Sequence, residues 1–188
     1  MVTTSRTSND YGPDLAFIAL PEASFLHELR ARKSFYNLTV KTAERKTSAL
    51  DDVGFFALCG FPAVRDFTEA PSLGFTTVNG LYGYAMFTGP DNYRERDGWD
   101  YYEMGVSQKS ANEFERTFGG VSGGAVWRVE MQRRDDAQPG SEYVSRMTLA
   151  GVAFYEMDDR DQKGFFIRSH GPCSIYDKLI NLVRTSLS

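Results

Sequence analysis

The sequence predicts an all-β fold with one α-helix at its C-terminal end. Three observations carry this expectation. Aromatic residues make up 14% of the 188 residues and glycine supplies 17 of them; aromatic side chains suit pleated, half-buried surfaces, and glycine suits tight turns. The apolar residues fall in short runs of roughly four to eight, bounded by Gly, Pro and Asp. Only the last stretch, residues 172–187, keeps a helical apolar repeat to the end of the chain, with Ile175, Leu179, Leu182, Val183 and Leu187 on one face.

Residues 1–13 are polar and read as a loose arm. Residues 14–20 (DLAFIAL) form a near-continuous apolar run and read as a buried strand. Residues 22–33 place Phe25, Leu26 and Leu29 at helical spacing and predict a short surface helix. Residues 35–40 read as a strand and 41–52 as a charged linker. From residue 53 onward the pattern is β throughout. Residues 54–59 (GFFALC) form a strand ended by Gly60-Phe61-Pro62, and 74–88 form a hairpin. Residues 89–98 (GPDNYRERDG) form a loop and 99–107 a strand. Residues 125–131 and 143–154 form two strands around the turn signal Pro139-Gly140, and 165–169 form the last. Pro172 suits a first helical position, with Asp177 early and Arg184 late, as the helix dipole favours. The division is an arm (1–13), a strand, helix and linker (14–52), and a β-domain (53–188).

Composition excludes several function classes. At 21.1 kDa the chain suits a single core, with 41% apolar and 24% charged residues. Its net charge of −4, from 21 basic and 25 acidic residues, argues against a general nucleic-acid or anionic-membrane binder. No apolar run approaches the roughly 20 residues of a membrane span. The opening MVTTSRTSNDYGP has no apolar centre, so the expected location is cytoplasmic. Cys59 and Cys173 stand 114 residues apart, beside only two His, which gives no zinc pattern. They are expected as reduced, buried thiols, and neither a metal nor a cofactor is expected.

One segment carries chemistry: Phe118-Gly119-Gly120-Val121-Ser122-Gly123-Gly124-Ala125-Val126-Trp127. A Ser flanked by two Gly on each side is costly in conformational entropy. Such freedom lets the amides of Gly120 and Ser122 converge beside the Ser122 hydroxyl, the arrangement of an oxyanion hole around a nucleophile. The plain alternative is a glycine-rich β-turn that contains a serine.

In its longer context the chain resembles the C-terminal part of a trypsin-like, chymotrypsin-fold serine peptidase of divergent bacterial type. Residues 120–124 (GVSGG) resemble the nucleophile motif, with Val121 where the family has Asp. Residues 14–20 resemble the segment that carries the catalytic Asp. Residues 56–62 resemble the strand opening the second barrel, 149–155 the substrate-binding strand, and 164–168 the last strand before a terminal helix. The resemblance implies a six-stranded antiparallel β-barrel plus one strand of the first barrel. It implies Ser122 as nucleophile, Asp14 as orienter of a histidine, and an oxyanion hole at the Gly120 and Ser122 amides. Arg116 would lie near the base of the specificity pocket, and Phe154, Tyr155 and Glu156 would line a peptide that adds as a β-strand.

Spacing exposes a gap. Asp14 and Ser122 are 108 residues apart, where the family has roughly 90, and its histidine stands roughly 45 residues before the Asp. That position would precede Met1. His27 is expected on a surface helix, and His170 as a solvated or capping residue away from the nucleophile. The expected function is therefore a serine endopeptidase domain that is incomplete and nearly inactive as this chain. A second chain or an upstream segment would supply the histidine, or two copies would dimerise through unpaired strand edges. The non-enzymatic alternative is a peptide-binding relative. An α/β-hydrolase with Ser122, Asp158 or Asp161, and His170 is a weaker fit, because residues 125–131 read as a strand where its nucleophile elbow leads into a helix. The Asp158-Asp159-Arg160-Asp161 run reads as a charged turn rather than a calcium loop.

Overall fold

The computed structural model describes residues 2–3, 14–19, 23–32, 35–47, 54–60, 69–72, 75–78, 83–87, 89–106, 121–132, 142–159 and 164–187. Every strand pairing among them is antiparallel. In chain order the elements are β1 (Val2–Thr3), β2 (Ala16–Phe17), α1 (Ala23–Arg32), α2 (Leu38–Thr47), β3 (Gly54–Gly60), β4 (Glu69–Ser72), β5 (Phe75–Val78), β6 (Gly83–Phe87), β7 (Asn92–Arg96) and β8 (Trp99–Val106). There follow β9 (Ala125–Gln132), β10 (Tyr143–Asp159) and β11 (Gly164–His170). The last two are α3 (Cys173–Leu179), wound as a π-helix, and α4 (Ile180–Leu187), which continues it. Seven strands form one sheet in the order β6-β3-β9-β10-β11-β8-β7, and β1-β2 and β4-β5 are separate two-stranded pairs. Among the described residues the sheet is open, because its outermost strands, β6 and β7, do not pair with each other.

Alternation along the strands gives the sheet one apolar face. Leu58 of β3, Val126 of β9, Ala153 of β10, Ile167 of β11 and Met104 of β8 pack together there with Val121. One buried side chain from each of five neighbouring strands thus meets on one face, as a half-buried sheet requires. The 17-residue β10 serves both halves of the sheet. It pairs with β9 over residues 143–152 and with β11 over residues 152–159. Register shifts between Leu149 and Gly151 and between Ala153 and Tyr155 bend it.

Two docking arrangements attach the helices. Asp100 of β8 is buried, and its carboxylate accepts the N–H groups of Cys173 and Ser174 at 3.0 and 2.6 Å. A carboxylate at the positive end of a helix satisfies donors that have no partner within it. The hydroxyls of Tyr36 and Tyr176 close a second ring of hydrogen bonds. Tyr36 Oη accepts the Leu149 N–H at 3.2 Å, and Tyr176 Oη donates to the Leu149 carbonyl at 2.9 Å. The two hydroxyls are 3.0 Å apart, so Tyr36 is the donor between them. Both backbone groups of Leu149, at the β10 register shift before Gly151, are thereby satisfied.

Several expectations are corrected. Residues 35–40 and most of 41–52 are not strand and linker: residues 38–47 form α2. Asn37 caps it, its Oδ1 accepting the Val40 N–H at 3.2 Å. The 14–20 run contributes only the two residues of β2, paired to β1 outside the main sheet; Leu15 is buried but Ile18 is exposed. The 74–88 segment is not one hairpin, because β5 pairs with β4 and β6 with β3. The 89–98 loop contains β7, joined to β8 by Asp97 and Gly98 with φ of 53° and 74°. Two successive positive φ values mark a type I′ turn, whose Asp-Gly signal lies inside a charged run.

Candidate functional site

Ser122 sits at a tight turn between the core and β9. The Gly124 N–H donates to the Val121 carbonyl at 2.7 Å, and Gly123 has φ +86°, the geometry of a type II turn with Ser122 at its second position. Gly124 is required by close approach: a Cβ there would stand 2.6 Å from the carbonyl oxygens of Cys59 and Val121. The turn continues the sheet beside β10. The Gly123 N–H donates to the Ala153 carbonyl at 2.7 Å, and the Ala153 N–H to the Gly124 carbonyl at 2.9 Å. Turn and packing thus account for both glycines that follow Ser122. Ser122 itself is exposed, and its Oγ donates to the Phe154 carbonyl at 3.3 Å. A hydroxyl engaged with a carbonyl is a weak nucleophile unless a base stands beside it.

The turn stands at the head of a β10 edge that is unpaired among the described residues. β9 accompanies β10 only as far as Val152, and the turn covers Ala153 and the Phe154 carbonyl. Beyond that point β10 pairs with β11 on one side, and among the described residues no strand pairs with residues 155–159 on the other. Tyr155 is exposed there, with the Arg168 guanidinium 5.6 Å from its ring centroid. Arg168 is itself buried against Glu103, with Nη2 and Nε 2.6 and 3.0 Å from Oε1. Glu156 stands opposite Ile167 in the register.

Asp14 is exposed in the N-terminal segment, outside the main sheet, and the described residues include no contact from it to Ser122. Gly120 and Arg116, and with them the expected oxyanion hole and pocket base, lie outside the described residues. His27 is exposed on α1. Neither cysteine forms a disulfide; Cys173 is exposed rather than buried, and partial burial pushes the Cys59 thiol pKa up. Among the described residues no three His, Cys, Asp or Glu side chains come together as a metal site. No described helix is long and apolar enough to cross a membrane.

His170 is neither solvated nor capping. It is 0% exposed at the end of β11, stacked on Phe154 at 4.6 Å between centroids and flanked by Tyr101 at 5.1 Å and Trp99 at 5.7 Å. Neither ring nitrogen has a hydrogen-bond partner among the described residues. Burial pulls its pKa down to about 4, against a smaller opposing effect of the Asp100 charge, so the ring is neutral at pH 7. Sequence reasoning missed this box because its three aromatic walls come from β8 and β10, far from residue 170 in the chain. One residue, Phe154, touches both sides: its carbonyl holds Ser122 and its ring covers His170.

No family model matches the sequence, and neither a curated protein nor a solved structure matches it.

Proposed function

We propose that the chain is a divergent relative of the trypsin-like serine peptidases. It binds an extended peptide along the free edge of β10 and, as this chain alone, cleaves peptide bonds weakly or not at all. The observation that carries the reading is the edge at residues 155–159, which no strand among the described residues pairs with, and the Ser122 turn at its head. Free N–H and C=O groups on a strand edge are a template for another strand. Support for the lineage comes from three of the segments that carry the resemblance, which fall in β3, β10 and β11 of one sheet, with Ser122 leading into β9 between β3 and β10; residues 14–20 fall outside that sheet. Among the described residues the sheet has seven strands and is open, where the resemblance implied a six-stranded barrel.

Titration of a fluorescein-labelled mixture of extended octapeptides with the chain tests the binding. A saturable rise in anisotropy is expected, absent for the same peptides N-methylated at alternate residues, which cannot pair along an edge. Equal binding of both sets, or of neither, overturns the reading. Hydrolysis is the second reading, favoured by the exposure of Ser122, with the missing base supplied by another chain.

A further inference from the structure

We propose that His170 is an acid switch whose protonation releases the C-terminal helices α3 and α4 from the sheet. The inference stands apart from strand addition. His170 is the last residue of β11, and only Gly171 and Pro172 separate it from α3. Its ring is fully buried against Phe154, Trp99 and Tyr101, and neither nitrogen has a hydrogen-bond partner among the described residues. A neutral imidazole loses little in such a box. An imidazolium brings a charge and two N–H donors, and aromatic faces compensate the burial of that charge only in part.

The box and the helix anchor share one stretch of β8. Trp99 and Tyr101 supply two walls of the box, and Asp100 between them in the chain accepts the N–H groups of Cys173 and Ser174. The Asp100 carbonyl accepts the Gly171 N–H at 2.8 Å. Lys178 of α3 stands over the Trp99 ring, 5.4 Å from its centroid. A charged His170 ring that leaves the box for water draws Gly171 and the start of α3 off β8. One that turns instead to the Asp100 carboxylate takes acceptor capacity from the helix N–H groups. Either movement undoes the anchor. Lys178 adds to it, because two cations would then share the Trp99 ring.

Other groups near the ring do not supply a counter-charge. β10 faces it with Phe154, which does not titrate. Burial raises the Tyr101 pKa, so that phenol stays neutral. On β11, Arg168 is a cation held by Glu103 of β8, and Glu103 also meets Arg94 of β7. Asp100 is the acid whose charge favours the imidazolium, and burial outweighs it. Above about pH 6.5 the ring is neutral whether the helices are docked or released. Below that the released form takes a proton that the docked form refuses down to about pH 4, so release gains as pH falls. The helices depend on this anchor, since residues 173–187 are short for a helix to persist unaided in water, and α3 has the uncommon π winding. Release exposes Ile175 and Tyr176, both buried when docked, and breaks the Tyr176 bond to the Leu149 carbonyl.

Amide hydrogen exchange at pH 7.5 and pH 5, corrected for the intrinsic effect of pH on exchange, tests the switch. Protection of residues 173–187 is expected to fall about thirtyfold between the two, the factor that follows from one proton refused between pH 6.5 and 4. Leu58 of β3 and Val126 of β9 are expected to keep their protection. His170→Phe, which leaves Asp100 in place, is expected to hold the helices at both pH values. Unchanged helix protection in the wild-type chain, an equal loss in helix and sheet, or a loss that persists in His170→Phe overturns the proposal. Should His170→Phe fail to melt cooperatively, His170→Leu, which also cannot titrate, decides in its place.

Discussion

His170 and Asp100 show opposite ways of burying a polar side chain. Asp100 is surrounded by donors; besides the two helix N–H groups, the Ser174 hydroxyl lies 2.7 Å from its carboxylate. Asp100→Ala leaves those N–H groups inside the protein without an acceptor, and a loss of about 2–3 kcal/mol is expected in denaturant unfolding. His170 has aromatic rings where Asp100 has donors. His170→Phe keeps the shape and removes two unsatisfied nitrogens, so a gain of about 1–2 kcal/mol is expected in the same measurement. The pH dependence follows from the depressed pKa. Above about pH 6.5 the imidazole is neutral whether the chain is folded or not. Between 6.5 and about 4 the unfolded chain takes up a proton that the folded chain refuses, so stability falls across that window as pH falls, by on the order of 3 kcal/mol. The difference between wild type and His170→Phe, measured by urea titration at pH 7.5 and 4.5, isolates this contribution from that of the carboxylates.

At the scale of elements, the Tyr36–Tyr176 ring ties the N-terminal region to the bend in β10. Tyr36 also stands edge-on to Trp127 of β9 at 5.1 Å between centroids. Tyr36→Phe retains the ring contact and strands the Leu149 N–H, with an expected cost of about 1–2 kcal/mol and faster hydrogen exchange at that amide. How much of this was legible depends on where each element draws its stability. β3, β8, β9, β10, β11 and the terminal helix carry their own pattern, apolar alternation or a helical stripe, and were read within a few residues. α2 (LTVKTAERKT) has almost no apolar stripe; its visible signal is the capping Asn37, which was read as part of a strand. β7 is polar along its length and exists through its partner and its Asp-Gly turn. The Ser122 turn was legible because glycines announce backbone demands wherever they cluster. The aromatic box around His170 was not, since no local pattern links residues 99, 101, 154 and 170.

Among the described residues the main sheet is antiparallel and open, and its longest strand is only partly paired. β10 spans both halves, and past Phe154 one of its edges carries no described strand. The same edge offers a second copy of the chain a place to pair, so light scattering at rising concentration accompanies any binding measurement. The most direct measurement of the central claim is backbone hydrogen exchange at residues 155–159, with and without the octapeptide mixture. Strand addition predicts slower exchange confined to that stretch and to the Ser122 turn. Unchanged exchange there, or slowing spread over the whole sheet, would contradict it.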